Sequence, residues 1–277
     1  MGIDAHQHFW IYNPGEYEWI DPSMAMLRRD FLPEDLLPQL KKSGFGGSVA
    51  VQARQTLEET RWLLELADKS PNILGVVGWV DLCSGECRSQ LRAFSANPKL
   101  VGIRHIVQSE ADDHFLLRPD FLRGITLLEE FDLAYDILIY PKHLGVAAEF
   151  VERFGRHRFV LDHLAKPAIR SGEIESWAKG IRRIASFPNV FCKLSGLVTE
   201  ADWRRWRPED ITPYLDVAFA AFGGSRLMIG SDWPVCLVAG SYDRTMDVVR
   251  NYLQGHSPET REAVVGGNAR QFWRLKD

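Results

Sequence analysis

Cysteine is scarce here: 277 residues hold only Cys83, Cys87, Cys192 and Cys236. Cys83 and Cys87 lie four apart with no matching second pair, so the spacing of a zinc ribbon is absent. Cys192 and Cys236 fall within apolar segments that read as strands, where a thiol serves as a small buried hydrophobe. So few thiols point to a reducing, cytoplasmic compartment rather than a disulfide scaffold. Basic charge is not in excess either. Lys and Arg number 33 against 37 Asp and Glu, a formal net charge of -4, which leaves no electrostatic footprint for nucleic acid. No apolar run approaches the roughly 20 residues that a membrane-spanning helix needs. Met1 leads straight into a strand, without the apolar stretch of a signal peptide. Met1-Gly2 fails as a myristoylation signal because position 6 is His6, not Ser or Thr. No Gly-x-Gly-x-x-Gly follows the first strand, which excludes the usual dinucleotide site. The Gly-x-Ser-x-Gly elbow of a serine hydrolase is missing too, since Leu194-Ser195-Gly196 lacks the leading glycine. No linker or low-complexity tract divides residues 1–277.

What is present is an ordinary globular composition, 45% hydrophobic and 25% charged. Its first distinctive stretch is Asp4-Ala5-His6-Gln7-His8-Phe9-Trp10. Apolar Ile3, Ala5 and Phe9 alternate well enough for a strand. Residues two apart on a strand share a face, so His6 and His8 are expected side by side at its end. Two imidazoles there can hold a metal ion, a water or a polarised carbonyl, or can simply be a satisfied polar pair.

A long aromatic loop follows, residues 11–30, with Tyr12, Tyr17 and Trp19; it reads as a wall or lid over the strand's end, or as a packed surface loop. Strand and helix then alternate. Pro33–Ser43 reads as a helix, weakened by Pro38 in its interior, and Gly46–Gln52 as a strand. Thr56 opens a helix with Glu59 three residues on, a capping box. Further strands are expected at Ile73–Asp81, Leu100–Val107, Leu133–Tyr140, Arg158–His163, Val190–Leu194 and Arg226–Ser231. Helices are expected at Ser84–Ser95, Pro119–Phe131, Pro141–Phe154, Glu173–Ser186, Pro213–Phe222 and Tyr242–Gln254, and a last one opens at Ser257-Pro258. Eight strand-helix units with near-continuous apolar strands predict a parallel sheet closed into a (β/α)8 TIM barrel, a single domain over 1–277. A doubly wound open sheet is the alternative.

Such barrels carry their chemistry at the C-terminal ends of the strands. Those ends here read His6 and His8, Gln52, Trp79 and Asp81, Arg104 and His105, Tyr140, Asp162 and His163 with Lys166, Lys193 and Ser195, and Asp232 with Trp233. Polar groups timed to nearly every strand end predict a shared polar pocket, because scattering them through a core without partners is costly.

Four of these segments carry a resemblance. Asp4-Ala5-His6-Gln7-His8-Phe9-Trp10, Gly102-Ile103-Arg104-His105, Leu161-Asp162-His163-Leu164-Ala165-Lys166-Pro167 and Gly230-Ser231-Asp232-Trp233-Pro234 resemble the amidohydrolase superfamily, and Gly266-Gly267-Asn268-Ala269 resembles its usual end. Within it the chain is similar to the sugar-lactone hydrolases and the related pyrone-dicarboxylate lactonase. The resemblance implies hydrolysis of a small sugar-acid lactone. Asp232 is then expected as general base, and His6, His8, His163 and Arg104 as groups that polarise the carbonyl. Gln52, Asp81, Tyr140 and Lys166 are expected to read sugar hydroxyls, and Trp10 and Trp233 to stack on the ring. Arg104-His105 stand where a bridging metal ligand would be, so a two-metal centre is not expected. Two possibilities stay open: no metal required, or one weakly held Zn²⁺ on His6, His8 and Asp232. An amide hydrolase, a decarboxylase and a sugar-acid binding protein are the rival readings.

Overall fold

Short runs rich in Val, Ile and Ala become strands, and proline or a hydroxyl residue opens most of the helices between them. The computed structural model describes residues 1–276. Its strands are β1 (Gly2–Gln7), β2 (Phe45–Val51), β3 (Ile73–Gly78), β4 (Leu100–His105), β5 (Ala134–Ile137), β6 (Phe159–Leu161), β7 (Val190–Leu194) and β8 (Leu227–Ile229). The helices on their outer side are α1 (Pro33–Lys42), α2 (Leu57–Lys69), α3 (Cys87–Phe94), α4 (Pro119–Glu130), α5 (Leu144–Glu152), α6 (Glu175–Ala185), α7 (Pro208–Phe222) and α8 (Tyr242–Tyr252). The short α9 (Pro258–Glu262) and α10 (Asn268–Trp273) follow. Each strand pairs in parallel with the next in chain order. The ring closes where Asp232 N–H donates to the His6 carbonyl (2.8 Å) and His8 N–H to the Trp233 carbonyl (2.7 Å). This is the (β/α)8 barrel expected, and the open sheet is excluded.

Several local expectations need correction. Thr56 Oγ1 accepts from Glu59 N–H, but Glu59 does not complete the box. Its Oε2 turns back to the Ala53 and Arg54 N–H groups at the end of β2. Helix α1 runs through Pro38. Helix α7 begins five residues before Pro213, at Pro208, where the Asp210 carboxylate caps Arg207 N–H. Cys236 lies on a 3-10 turn after β8, not in a strand.

Two apolar layers result. Inside the barrel, Ile3, Ala5, Val49, Val51, Val77, Ala134, Val160 and Met228 pack with Phe272, Trp273 and Leu275 from the C-terminal segment. The larger layer lies between the strands and their helices. β5, β6 and β7 place Asp136, Asp162 and Lys193 above the apolar inner residues, as alternation demands, and Arg104 of β4 joins them beyond an irregular register between Leu100 and Gly102. β1 breaks that rule. Strict alternation would send His6 outward with Asp4, whose carboxylate accepts from Tyr242 of α8. The pairing register is irregular between Asp4 and Gln7, and this bulge turns His6 inward.

Away from the strand ends, His157 is buried beside Phe159 with its Nε2 unpartnered, and burial holds its pKa down at about 4. The unfolded chain binds this proton near pH 6.5, the folded chain only near 4. His157 therefore removes stability as pH falls through that window, by up to about 3 kcal/mol. Replacing His157 by Leu is expected to flatten this part of the pH dependence. Urea midpoints at pH 7 and 4.5 check it; equal pH slopes for parent and variant would contradict it.

Candidate active site

The inner face of the barrel carries charge below its mouth. Lys193 is fully buried, pairs with Asp136 and lies 2.9 Å from Asp162 Oδ1. Arg104 Nη1 donates to Asp162 Oδ2 at 3.0 Å, and its Nη2 donates to Gln52 Oε1 at 3.0 Å. Burial pushes the Asp136 carboxyl up to about 7, although Lys193 opposes it. For Asp162 burial acts the same way, but Lys193, His6 and Arg104 together outweigh it and hold it well below the carboxylate range. These two cations and two acids form a floor for the groups above.

On that floor stand three imidazoles and one carboxylate. His6 Nε2 and His8 Nε2 are 3.2 Å apart. Asp232 Oδ1 lies 3.3 Å from His8 Nε2, 3.7 Å from His6 Nε2 and 3.9 Å from His163 Nε2. His8 Nδ1–H donates to the Val51 carbonyl at 2.7 Å, which leaves its Nε2 a lone pair aimed at the cluster. His6 Nδ1 faces Lys193 Nζ at 3.2 Å and Asp162 at 3.4 Å. His163 Nδ1 meets Ser195 Oγ at 2.9 Å, so with the hydroxyl donating, its Nε2–H is free to point at a ligand. Burial keeps His6 neutral and depresses His163 to about 4. Burial alone would raise Asp232, but the three imidazoles prevail and hold it below the usual range. At neutral pH Asp232 is a carboxylate, and His6 and His163 beside it are uncharged.

The backbone is strained to place two of these groups. Asp232 has φ of 56°, and His163, Leu164, Ala165 and Lys166 are four consecutive left-handed residues. Such residues cost about 1–2 kcal/mol each and cluster at functional sites. Gly196, itself left-handed at φ 66°, allows the close approach: a Cβ there would meet His163 Nδ1 at 2.6 Å.

A cavity of about 410 Å³ opens above the centre. Its base is His8, Arg104, His163 and Asp232; Tyr140, Lys166, Glu200 and Trp203 form walls from later loops. Trp19 and Met24 reach it from the loop after β1, which makes that loop a wall, as expected of it.

Of the residues expected at the site, His6, His8, His163, Asp232 and Arg104 converge as described. Tyr140 and Lys166 line the cavity, although β5 ends at Ile137 and Tyr140 belongs to the following loop. Gln52 does not line it; buried, it holds Arg104. Three further expectations are overturned. Trp10 is fully buried on the outer face against Tyr17 and Phe31, its Nε1–H donating to the Arg29 carbonyl. Trp233 is buried against Phe9 and Phe31. Asp81 closes an Asx-turn onto Cys83 N–H at 3.0 Å. None of the three reaches the cavity. Asp136, Gln108, Trp203 and Glu200 were missed.

The donor set fits one divalent metal. A four-coordinate ion with bonds of about 2.0–2.1 Å sets its ligand atoms about 3.3 Å apart, close to the separations among His6 Nε2, His8 Nε2 and Asp232 Oδ1.

A (β/α)8 barrel with paired imidazoles from its first strand, a third after the sixth and a carboxylate after the eighth defines a hydrolase-type centre at the C-terminal face. The chain belongs to the amidohydrolase family, whose model matches residues 3–275. It is 42% identical to an L-fucono-1,5-lactonase of Burkholderia multivorans, over 100% of this chain and 97% of that one. It is 39% identical to an L-fucono-1,5-lactonase of Burkholderia ambifaria, over 99% and 95%. A crystal structure of an amidohydrolase from Burkholderia multivorans with bound Zn, 42% identical, superposes with a TM-score of 0.96 over 100% of both chains. No helix among the described residues is long and apolar enough to cross a membrane.

Proposed function

We propose that this chain hydrolyses a sugar-acid lactone, an aldono-1,5- or 1,4-lactone such as L-fuconolactone, by attack of water on the ester carbonyl. The observation that carries this reading is the ionised Asp232 carboxylate, set at the base of the cavity with His6, His8 and His163 around it. Asp232 takes the proton of the attacking water as the oxygen–carbon bond forms. His163 Nε2–H and Arg104 supply donors for the developing oxyanion. The tetrahedral intermediate then breaks its bond to the ring oxygen, and Asp232 returns the proton there. The product is a hydroxy acid, which ionises and acidifies the medium. Tyr140 and Lys166 contact the sugar's hydroxyls from the walls. His6, His8 and Asp232 would hold a Zn²⁺, which when bound supplies Lewis acidity toward the carbonyl or water.

The test is a pH-indicator screen of aldono-1,4- and 1,5-lactones, including fucono, rhamnono and galactono forms, with and without prior chelation. Acid release from at least one lactone is expected. Release that survives chelation assigns the work to Asp232, His163 and Arg104 alone; release restored by added zinc assigns His6, His8 and Asp232 as ligands. Silence across the panel, with amide cleavage or carbon dioxide release from an aromatic acid instead, would replace the lactonase reading.

A further inference from the structure

Two cavity groups have opposite charge and neither a hydrogen-bond nor an ion-pair partner through it. The Glu200 carboxylate, on the 3-10 turn Val198–Glu200 after β7, makes no hydrogen bond or ion pair with the described residues. Lys166, after β6, likewise makes none through its ammonium, which lies 5.7 Å from the Tyr140 ring centroid. Gln108, after β4, lines the same cavity with its Oε1 buried and unpartnered. Burial raises the Glu200 pKa, with Asp232 adding to the shift and Lys166 opposing it. A buried oxygen without a partner, as on Gln108, is costly unless a ligand completes it, and the half-buried Glu200 and Lys166 beside it are free to bind the same ligand.

The required ligand is rich in hydroxyls and uncharged. A carboxylate and an amide oxygen ask for donors, and an ammonium asks for an acceptor; a hydroxyl serves as either. A second anionic group on the ligand would meet Glu200. Trp203 offers its ring rather than its N–H, since Nε1–H already donates to the Thr199 carbonyl at 2.8 Å.

We propose that Glu200 is a specificity-determining residue: its carboxylate accepts from neighbouring ring hydroxyls, with Lys166 and Gln108 completing the set. This rests on the lactone reading of the same site. Glu200 is assigned recognition only, with proton transfer left to Asp232.

The experiment compares the wild type with Glu200→Ala and Glu200→Gln on two substrates: a fully hydroxylated aldono-1,5-lactone and δ-valerolactone, which has the ring without hydroxyls. The readout is the ratio of the two kcat/KM values. Glu200→Ala is expected to lower the preference for the hydroxylated ring by about ten- to a hundredfold, chiefly through KM, and Glu200→Gln by less because one acceptor remains. Loss of both activities by one factor would make Glu200 part of the chemistry and overturn the proposal, as would an unchanged ratio. A wild type that opens neither lactone would sink the lactonase reading separately. In that case a free aldopyranose is titrated against the fluorescence of Trp19 and Trp203. Weaker binding by Glu200→Ala would sustain the assignment, and equal or absent binding would end it.

Discussion

Asp232→Asn folds as the parent does and loses about a thousandfold in kcat on any lactone the parent hydrolyses. The amide keeps the shape, and the turn is held by backbone bonds that the substitution leaves in place: Asp232 N–H to the His6 carbonyl and Cys236 N–H to the Asp232 carbonyl. What is lost is the proton acceptor, and a positioned base contributes about 10²–10⁴ in rate. The parent's pH profile has a matching signature. Asp232 is held below the usual carboxylate range, so it stays competent as pH falls. The acid limb of kcat/KM is therefore expected only as pH nears about 4, where His163 gains its proton. Steady-state rates and urea midpoints of both proteins check this together. A variant within tenfold of the parent would remove Asp232 as the base.

The second large effect is on stability. Lys193→Met is expected to cost about 3–5 kcal/mol, because it strands Asp136 without its ion-pair partner and takes one of two cations from Asp162. Removing the cation raises the Asp136 carboxyl pKa further and lifts that of Asp162 from its depressed position. The deficit is then greatest at alkaline pH and shrinks as pH falls and the acids protonate. Adding Asp136→Asn should recover part of it, since the pair couples directly. Urea unfolding of the two single variants and the double variant at pH 6 and 8 gives the answer. A Lys193→Met protein within 1 kcal/mol of the parent at pH 8 would show that the floor of charges is not held by this pairing.

The barrel was legible because eight apolar runs alternate with capped helical segments, a pattern that few other architectures satisfy. His6, His8, His163 and Asp232 were legible because polar groups at strand ends have one shared place to go. Trp10 misled for a physical reason: nearness in sequence to His8 says nothing of face, and the chain there turns it against Phe31. Asp81 looked like a strand-end contact for sugar hydroxyls, but β3 stops at Gly78 and the carboxylate serves its own turn. Asp136 was hidden in the run Ala134–Ile137, although its inward position follows from simple alternation with Ala134. Glu200 carried no sequence signal, because its place depends on how the loop after β7 folds over the mouth.

The closure of the ring also sets an order in time. Asp4 accepts from Ser231 N–H and Oγ–H, 227 positions later in the chain. At 5–20 residues per second, Asp4 is synthesised roughly ten to forty-five seconds before its partner. Throughout that interval β1 lacks one neighbour, and the carboxylate behind His6 lacks three of its four donors, the Ser231 pair and the Tyr242 hydroxyl. A chain that stops before Ser231 therefore leaves the Asp4 carboxylate only the His6 N–H among these four donors.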